Sequence, residues 1–516
     1  MSDVLSSYIA GSWREPADSG RPAVDAATGE EVARWSEEPV EGAEALQHAR
    51  RVGGPALREL TFHQRAAVLK GLAKHLTERK DEFYALSART GATKRDSAVD
   101  IDGGIGVLFV YASKAVKELP DAAHLLDGGQ ERIGAEGTFV AQHLQTPLRG
   151  AAVQINAYNF PVWAMLEKFA PAFLAGVPSL VKPASQTGYL TELVFRRAVE
   201  SGLLPEGSVQ LLCGGVGDLL DRLAEQDVVS FTGSADTAQL LRKHPHLAAK
   251  SVRFNAEADS LNCAVLGPDA GPETPEFDLF VRQLVAEMTV KTGQKCTAIR
   301  RALVPGDRIA DVEEAVRGEL ARVVVGHPAE ESVGMGPLVG LQQREEVLRS
   351  LKGLRAAGTL VFGDPEQVEV VGADAERGAF VPPLLLRCDD PDRWEPHEIE
   401  AFGPVSTLIP YSGAEQAVEC AARGAGSLVG SIVSHDGDFV RDLVLGTAPW
   451  HGRLHLLDRD DADESTGHGA PLPHLVHGGP GRAGGGEELG GIRGLSQFMQ
   501  RTAVQGSPSQ IRELAV

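Results

Sequence analysis

The sequence predicts an α/β protein built on parallel sheets with crossover helices, and three observations carry that expectation. Short apolar runs alternate with helix-patterned segments between residues 150 and 231. The alternation restarts over 265–362, which predicts a second α/β domain. The segment 136–148, EGTFVAQHLQTPL, alternates apolar and polar residues, as a hairpin strand standing outside the main sheet would.

Taken in order, the first elements are helices at 41–57 and 62–79. Apolar residues recur there at i, i+3 and i+4, with charges on the opposite face. Gly150-Ala-Ala-Val-Gln-Ile155, Ser179-Leu-Val181, Val209-Gln-Leu-Leu212 and Val228-Val-Ser-Phe231 read as buried strands, with helices between them at 161–175, 187–201 and 217–225. Parallel neighbours need crossovers of this kind. The second domain starts with a long helix near 275–292, a strand at 299–304 and a helix at 308–325. Residues 458–490 are acidic at first, then rich in Gly, Pro and His, and read as loop.

The 516 residues suggest about three folding units at roughly 150 residues each. A formal charge of −21 and a pI near 5.2 argue against a nucleic-acid partner. The five cysteines are widely spaced and form no CxxC, which fits a reducing compartment and neither a disulfide framework nor a zinc site. The N-terminal Met-Ser-Asp-Val lacks the basic and apolar regions of a signal peptide. Apolar runs such as 170–181 fall short of the ~20 residues that a membrane span needs. A cytoplasmic protein without a membrane partner is expected.

Several residues are candidates for chemistry. Cys296, in Thr292-Gly-Gln-Lys-Cys-Thr297, follows a glycine turn, and the adjacent Lys295 is of the charge that lowers a thiol pKa. The competing reading is a small buried apolar residue. Glu257, in Phe254-Asn-Ala-Glu-Ala-Asp-Ser260, lies between apolar runs, where burial would raise its pKa toward that of a useful general base. A solvated loop acid is the alternative, and Asp259 stands no better. Asn159, in Tyr158-Asn-Phe-Pro161, suits either an oxyanion donor or a helix N-cap before Pro at N1. Lys182, in Leu180-Val-Lys182-Pro-Ala-Ser185, and Gly233 with Ser234, in Phe231-Thr-Gly-Ser234, end strands where open α/β sheets bind ligands. Gly214-Gly-Val-Gly217 is glycine-rich but lacks GxGxxG spacing. In the histidine tract, His451 and His455 stand at i, i+4, but spacing places no third ligand, so no metal is expected.

These motifs, in this order, resemble the aldehyde dehydrogenase superfamily over roughly residues 7–505. The resemblance implies a Rossmann-type dinucleotide-binding domain at 1–130 and 150–260, with a return at 479–497. It also implies an α/β catalytic domain at 261–478 and a small β oligomerisation element at 131–149 and 498–516. By the same resemblance Cys296 is the nucleophile, Glu257 the general base and Asn159 the oxyanion donor, and Lys168 matches a family lysine. Cofactor contacts fall to Lys182, Ser185, Gly214, Gly233 and Ser234, and to Glu400 and Phe402 in Glu400-Ala-Phe402-Gly-Pro404. The chain departs from the family at Glu257-Ala-Asp-Ser260, at Ala238 and at Gly478-Gly-Pro-Gly-Arg482. The strings Asn255-Ala-Glu-Ala-Asp-Ser-Leu-Asn262 and Met288-Thr-Val-Lys-Thr-Gly-Gln-Lys-Cys296 resemble the ring-cleavage branch of bacterial phenylacetate and benzoate catabolism, which implies a CoA-linked semialdehyde. Ser185 stands where NAD-preferring relatives carry a Glu that would repel a 2′-phosphate, so NADP is expected over NAD. Three outcomes stay open: oxidation to the acid of this or another semialdehyde, transfer of the acyl group to free CoA, and a silent binding relative. A homodimer or larger homo-oligomer is expected.

Overall fold

The computed structural model of the protein describes residues 4–514. Among them, the four strands expected from the apolar runs lie side by side as Ala152–Ile155, Ser179–Lys182, Val209–Leu211 and Val228–Thr232. They belong to a seven-stranded sheet in the order Arg253–Glu257, Val228–Thr232, Ala152–Ile155, Ser179–Lys182, Val209–Leu211, Ser7–Ile9, Ser12–Arg14. The first five are parallel, and Ser7–Ile9 extends the sheet antiparallel. Parallel strands covered on both faces read as continuous apolar runs. Accordingly Ala152, Val153, Leu180, Val181, Val228 and Val229 are all buried.

The crossover helices are Pro161–Ala175 and Gly188–Glu200. The helix expected at 217–225 is only a 3-10 turn, Leu219–Arg222. So short a segment does not repay helix nucleation. The early helices are Gly42–His48, continued through a π turn to Arg58, and Phe62–Thr77, opened by a Thr61/Gln64 capping box.

The second sheet also has seven strands, in the order Thr359–Phe362, Leu384–Arg387, Val405–Tyr411, Arg301–Pro305, Cys263–Leu266, Ser427–Val433, His451–Leu457. It is parallel except for the Thr359–Phe362 edge. A separate antiparallel sheet has Val140–Pro147 at its centre, flanked by Leu125–Arg132 and Met499–Gly506. Among the described residues, no helix is long and apolar enough to cross a membrane.

Two regions differ from expectation. The 25-residue helix Lys94–Glu118 escapes the periodicity reading because Gly103 and Gly104 interrupt it. Both glycines seat Trp163: a Cβ on Gly103 would lie 2.4 Å from the indole, and one on Gly104 3.0 Å from the Trp163 Cα. The segment 458–490 is not simply loop. It holds the strands Val476–Gly478 and Glu487–Leu489, paired antiparallel with His477 opposite Glu488. Its glycines reflect close backbone approach: a Cβ on Gly484 or Gly486 would fall 2.3 or 2.4 Å from the Ala256 carbonyl oxygen, beside Glu257.

Candidate active site

Pro161 opens the helix Pro161–Ala175, yet Asn159, a candidate cap by sequence, does not cap it. Asp100 does, its Oδ1 accepting from the backbone N–H groups of Val162 (3.1 Å) and Trp163 (2.8 Å). Burial pushes the Asp100 carboxyl up to about 7, against the opposing pull of Lys291 and those two N–H groups. The Asn159 amide is thereby free for another use. Its Nδ2 donates to the Gln294 carbonyl, 3.0 Å away in the segment that carries Cys296.

That segment is strained. Lys291, Thr292 and Gly293 all have positive φ, at 54°, 54° and 65°, a conformation that costs a non-glycine residue ~1–2 kcal/mol. Anchors hold it in place. Asp96 Oδ1 accepts from the Lys291 N–H at 2.7 Å, and Thr292 Oγ1 donates to the Gly336 carbonyl at 2.8 Å. Arg300 donates to the carbonyls of Gly293 (2.9 Å) and Gly403 (2.7 Å). Only glycine fits at 293, where a Cβ would lie 2.2 Å from the Gly403 oxygen.

The loop sets Cys296 half-buried beside Glu257, the last residue of strand Arg253–Glu257. His477 joins them, its Nε2 3.4 Å from Glu257 Oε2 and 4.0 Å from Cys296 Sγ. Sequence reasoning gave His477 no role, as one of the histidines in the segment 458–490 read as loop. The signal was its position, immediately before the altered glycine motif Gly478-Gly-Pro-Gly-Arg482. Next to this trio, Lys168 Nζ bonds Glu167 (3.0 Å) and Glu488 (2.9 Å) inside the protein. Glu167 also accepts from Trp163 Nε1 at 2.6 Å.

Two electrostatic expectations are corrected. Burial favours the neutral form of Glu257, but His477 and Lys168 outweigh it and hold the carboxyl below its ordinary value. Burial was expected to win there. Lys295 pulls the thiol down but is outweighed, its ammonium being paired with Glu287 at 2.7 Å. Burial first, then the Glu257 carboxylate, push the Cys296 thiol well above its ordinary range.

A narrow pocket of about 40 Å³ opens onto the sulfur, with Val99, Phe160, Trp163 and Pro471 as apolar walls and Asn159 and Thr297 as polar ones. The carboxyl ends of the first sheet offer a second set of groups. Both polar atoms of the Asn156 side chain, Thr232 Oγ1 and Glu400 Oε1 are buried without a hydrogen-bond partner among the described residues. Among the described residues Lys182 reaches only its neighbouring carbonyl, at 3.4 Å, and lies over the Trp35 ring at 4.6 Å. Desolvation and the nearby Arg21 push its ammonium down to about 8. Arg21 and Trp35 are paired across one hairpin, and the Arg21 guanidinium donates to Ser185 Oγ at 2.8 Å. Ser234 caps the helix Ala235–Arg242 after Gly233, and Asp259 closes the same turn by accepting from the Ala235 N–H. Burial raises Glu400 to about 7 although Arg300 stands 3.7 Å away, and Phe402 packs edge-on against Tyr158. These unpartnered donors and acceptors suit the hydroxyls, amide and phosphates of a dinucleotide. Gly214 follows strand Val209–Leu211, and a Cβ there would lie 2.7 Å from the Glu38 carbonyl oxygen. His451 and His455 share no ligand geometry: one faces Cys263 and the other Ser431.

A model of the aldehyde dehydrogenase family matches residues 13–448. The chain belongs to that family. The dehydrogenase is 47% identical over 478 residues to 3,4-dehydroadipyl-CoA semialdehyde dehydrogenase of Aromatoleum evansii, covering 92% of this chain and 93% of that protein. Over 181 residues it is 50% identical to Protein MaoC of Klebsiella aerogenes, covering 34% of this chain and 52% of the other. Betaine aldehyde dehydrogenase from Staphylococcus aureus, solved in complex with NAD+, superimposes with a TM-score of 0.83 at 23% identity over 98% of this chain and 95% of that one. Lactaldehyde dehydrogenase from Escherichia coli gives 0.84 at 21% identity over 98% and 99%. At such identities the likeness to the solved structures is one of fold.

Proposed function

We propose that this aldehyde dehydrogenase oxidises 3,4-dehydroadipyl-CoA semialdehyde to the carboxylic acid, with NADP as oxidant, through a thiohemiacetal and a thioester on Cys296. The observation that carries the reading is the convergence of Cys296, Glu257 and Asn159 on one pocket, in a chain so similar over its length to a protein named for that substrate.

In this reading the Cys296 sulfur attacks the aldehyde carbon, and the carbonyl π pair moves to oxygen. Asn159 has given one amide hydrogen to Gln294, and its second hydrogen serves the oxyanion. The bond to Gln294 fixes the amide relative to the sulfur, so no reorganisation is needed as charge develops. A bound oxidised nicotinamide supplies the hydride acceptor that turns the thiohemiacetal into a thioester. Glu257, whose Oε1 has no hydrogen-bond partner among the described residues, then takes a proton from the water that releases the acid. A water-activating carboxylate beside the sulfur favours hydrolysis over transfer to free CoA.

For the cofactor, Lys182, Ser185, Gly214, Gly233, Ser234, Glu400 and Phe402 are the proposed contacts. Arg21 joins them as a sequence-distant cation. Its pairing with Ser185 beside Lys182 supports a 2′-phosphate there, and hence NADP. The first sheet is assigned to dinucleotide binding, the second to catalysis and the three-stranded sheet, whose flanking strands are largely exposed, to homo-oligomer assembly. The test is steady-state oxidation of CoA-linked and free aldehydes with NADP and NAD, with product analysis in the presence and absence of CoA. A CoA-linked semialdehyde turned over to the acid with NADP supports the proposal. Turnover confined to free aldehydes, or an acyl-CoA product that requires added CoA, refutes it.

A further inference from the structure

The site as described leaves its nucleophile without a counter-charge. Cys296 sits beside an ionised carboxylate in a buried setting, and both features oppose a thiolate. Lys295, its sequence neighbour, is tied to Glu287, and Lys168 is tied to Glu167 and Glu488. Apart from these, the group in contact with both the sulfur and the carboxylate is the imidazole of His477.

We propose that His477 is a catalytic residue, taking the Cys296 proton as the sulfur attacks and standing thereafter as an imidazolium paired with Glu257. This rests on Cys296 being the nucleophile. In the step the S–H bond breaks and its proton goes to Nε2; the S–C bond forms, and the carbonyl π pair goes to oxygen. Proton transfer from thiol to imidazole leaves the net charge of the pair unchanged, and Glu257 Oε2, 3.4 Å from the same nitrogen, stabilises the cation produced.

The backbone explains why the imidazole stands there. His477 and Glu488 are directly opposed in the antiparallel pair Val476–Gly478 and Glu487–Leu489, so their side chains leave the ribbon on one face. One reaches the Glu257–Cys296 pair and the other reaches Lys168. The ribbon is held against the Glu257 strand by glycines that admit no side chain, Gly484 and Gly486 at Ala256. His477 is 3% exposed, yet its Nδ1 has no hydrogen-bond partner among the described residues. The imidazole meets the reacting pair with one nitrogen and leaves the other unspent. The charged and titratable groups around it are Glu257 at its strand end, Cys296, Glu167 and Lys168 on the helix Pro161–Ala175, Glu488 on the paired strand, and Lys295 and Arg453 near the sulfur.

The test reads the sulfur without substrate or cofactor. The full-length enzyme is alkylated with iodoacetamide across a pH series, and modification of Cys296 is followed by peptide mass spectrometry; the other four cysteines are buried. In the unaltered enzyme the rate is expected to level off by about pH 7, because the imidazole takes the proton during attack, although the thiol itself ionises well above its ordinary range. In His477→Gln the rate at pH 7 falls at least about tenfold and rises only above ~8.5. Added imidazole partly restores His477→Gly. A single rise at or above ~8.5 in the unaltered enzyme overturns the proposal even if the variants fail to fold. So does a His477→Gln profile that matches the unaltered one. A plateau near pH 7 that His477→Gln abolishes, in an enzyme that ignores CoA-linked semialdehydes, leaves His477 in its role and refutes the proposed substrate instead.

Discussion

Replacing Arg21 by alanine separates the two nicotinamide cofactors by a predictable amount. The guanidinium lies on an exposed hairpin strand and donates to Ser185 Oγ beside Lys182. A hydrogen bond between a guanidinium and a phosphate contributes ~1.5–3 kcal/mol when shielded. Solvent and salt trim an exposed one to the lower end of that range. Lys182 remains, so the phosphate keeps one cation. A loss of ~1.4 kcal/mol is a factor of ten. The kcat/KM for NADP is therefore expected to fall about tenfold in Arg21→Ala, and that for NAD to stay within about twofold. The assay is steady-state appearance of the reduced cofactor with one saturating aldehyde, at low and at high ionic strength. The NADP deficit should shrink with salt, since added ions already weaken the contact in the unaltered enzyme. Equal losses with both cofactors would mean that Arg21 supports the fold rather than the phosphate, and an unchanged NADP-to-NAD ratio would refute the assignment of the 2′-phosphate to this corner.

Ser185→Glu places a carboxylate against Arg21 and Lys182, consuming both cations and repelling a 2′-phosphate; the preference should move toward NAD, and unchanged cofactor kinetics would count against the reading. Glu400 carries a pH-dependent cost. Burial raises its carboxyl from 4.5 to about 7, so the folded state retains a proton that the unfolded chain has lost over that interval, and stability falls as pH rises through it. Glu400→Gln has no proton to lose. It should unfold in urea at a higher midpoint than the parent at pH 8, by up to roughly 3 kcal/mol, with little difference near pH 4, while binding the dinucleotide more weakly. A variant no more stable at pH 8 would contradict the burial argument.

How far the sequence reaches depends on whether the physics is local. The helix Pro161–Ala175 is read to the residue because Pro161 starts it and Gly176, at φ 88°, stops it. The buried parallel strands are legible because both faces are covered and most positions are apolar, with Gln154, Ser179, Gln210 and Ser230 buried among them. Asn159, Glu257 and Cys296 stand out through motifs within a few residues of themselves, and the structure brings all three to one pocket. What was illegible comes from contacts across long separations. Asp100 caps a helix 62 residues away, which frees Asn159. Glu287 neutralises Lys295, which from sequence looked like the activator of its neighbour. Glycine runs read as loop because local rules assign glycine to turns. At Gly484 and Gly486 the glycine is required by a strand packed from outside, and the histidine that this ribbon carries lies 181 residues from the sulfur it meets.

The central claim is that the substrate's acyl group passes through a bond to Cys296, and trapping that bond tests it most directly. Glu257→Gln, mixed with the CoA-linked semialdehyde and NADP, should release at most about one equivalent of reduced cofactor per active site, with the matching acyl mass on the peptide containing Cys296 and no adduct in Cys296→Ala. Turnover by Cys296→Ala, or release of the acid by the parent enzyme with the acyl mass on any other residue, would contradict it.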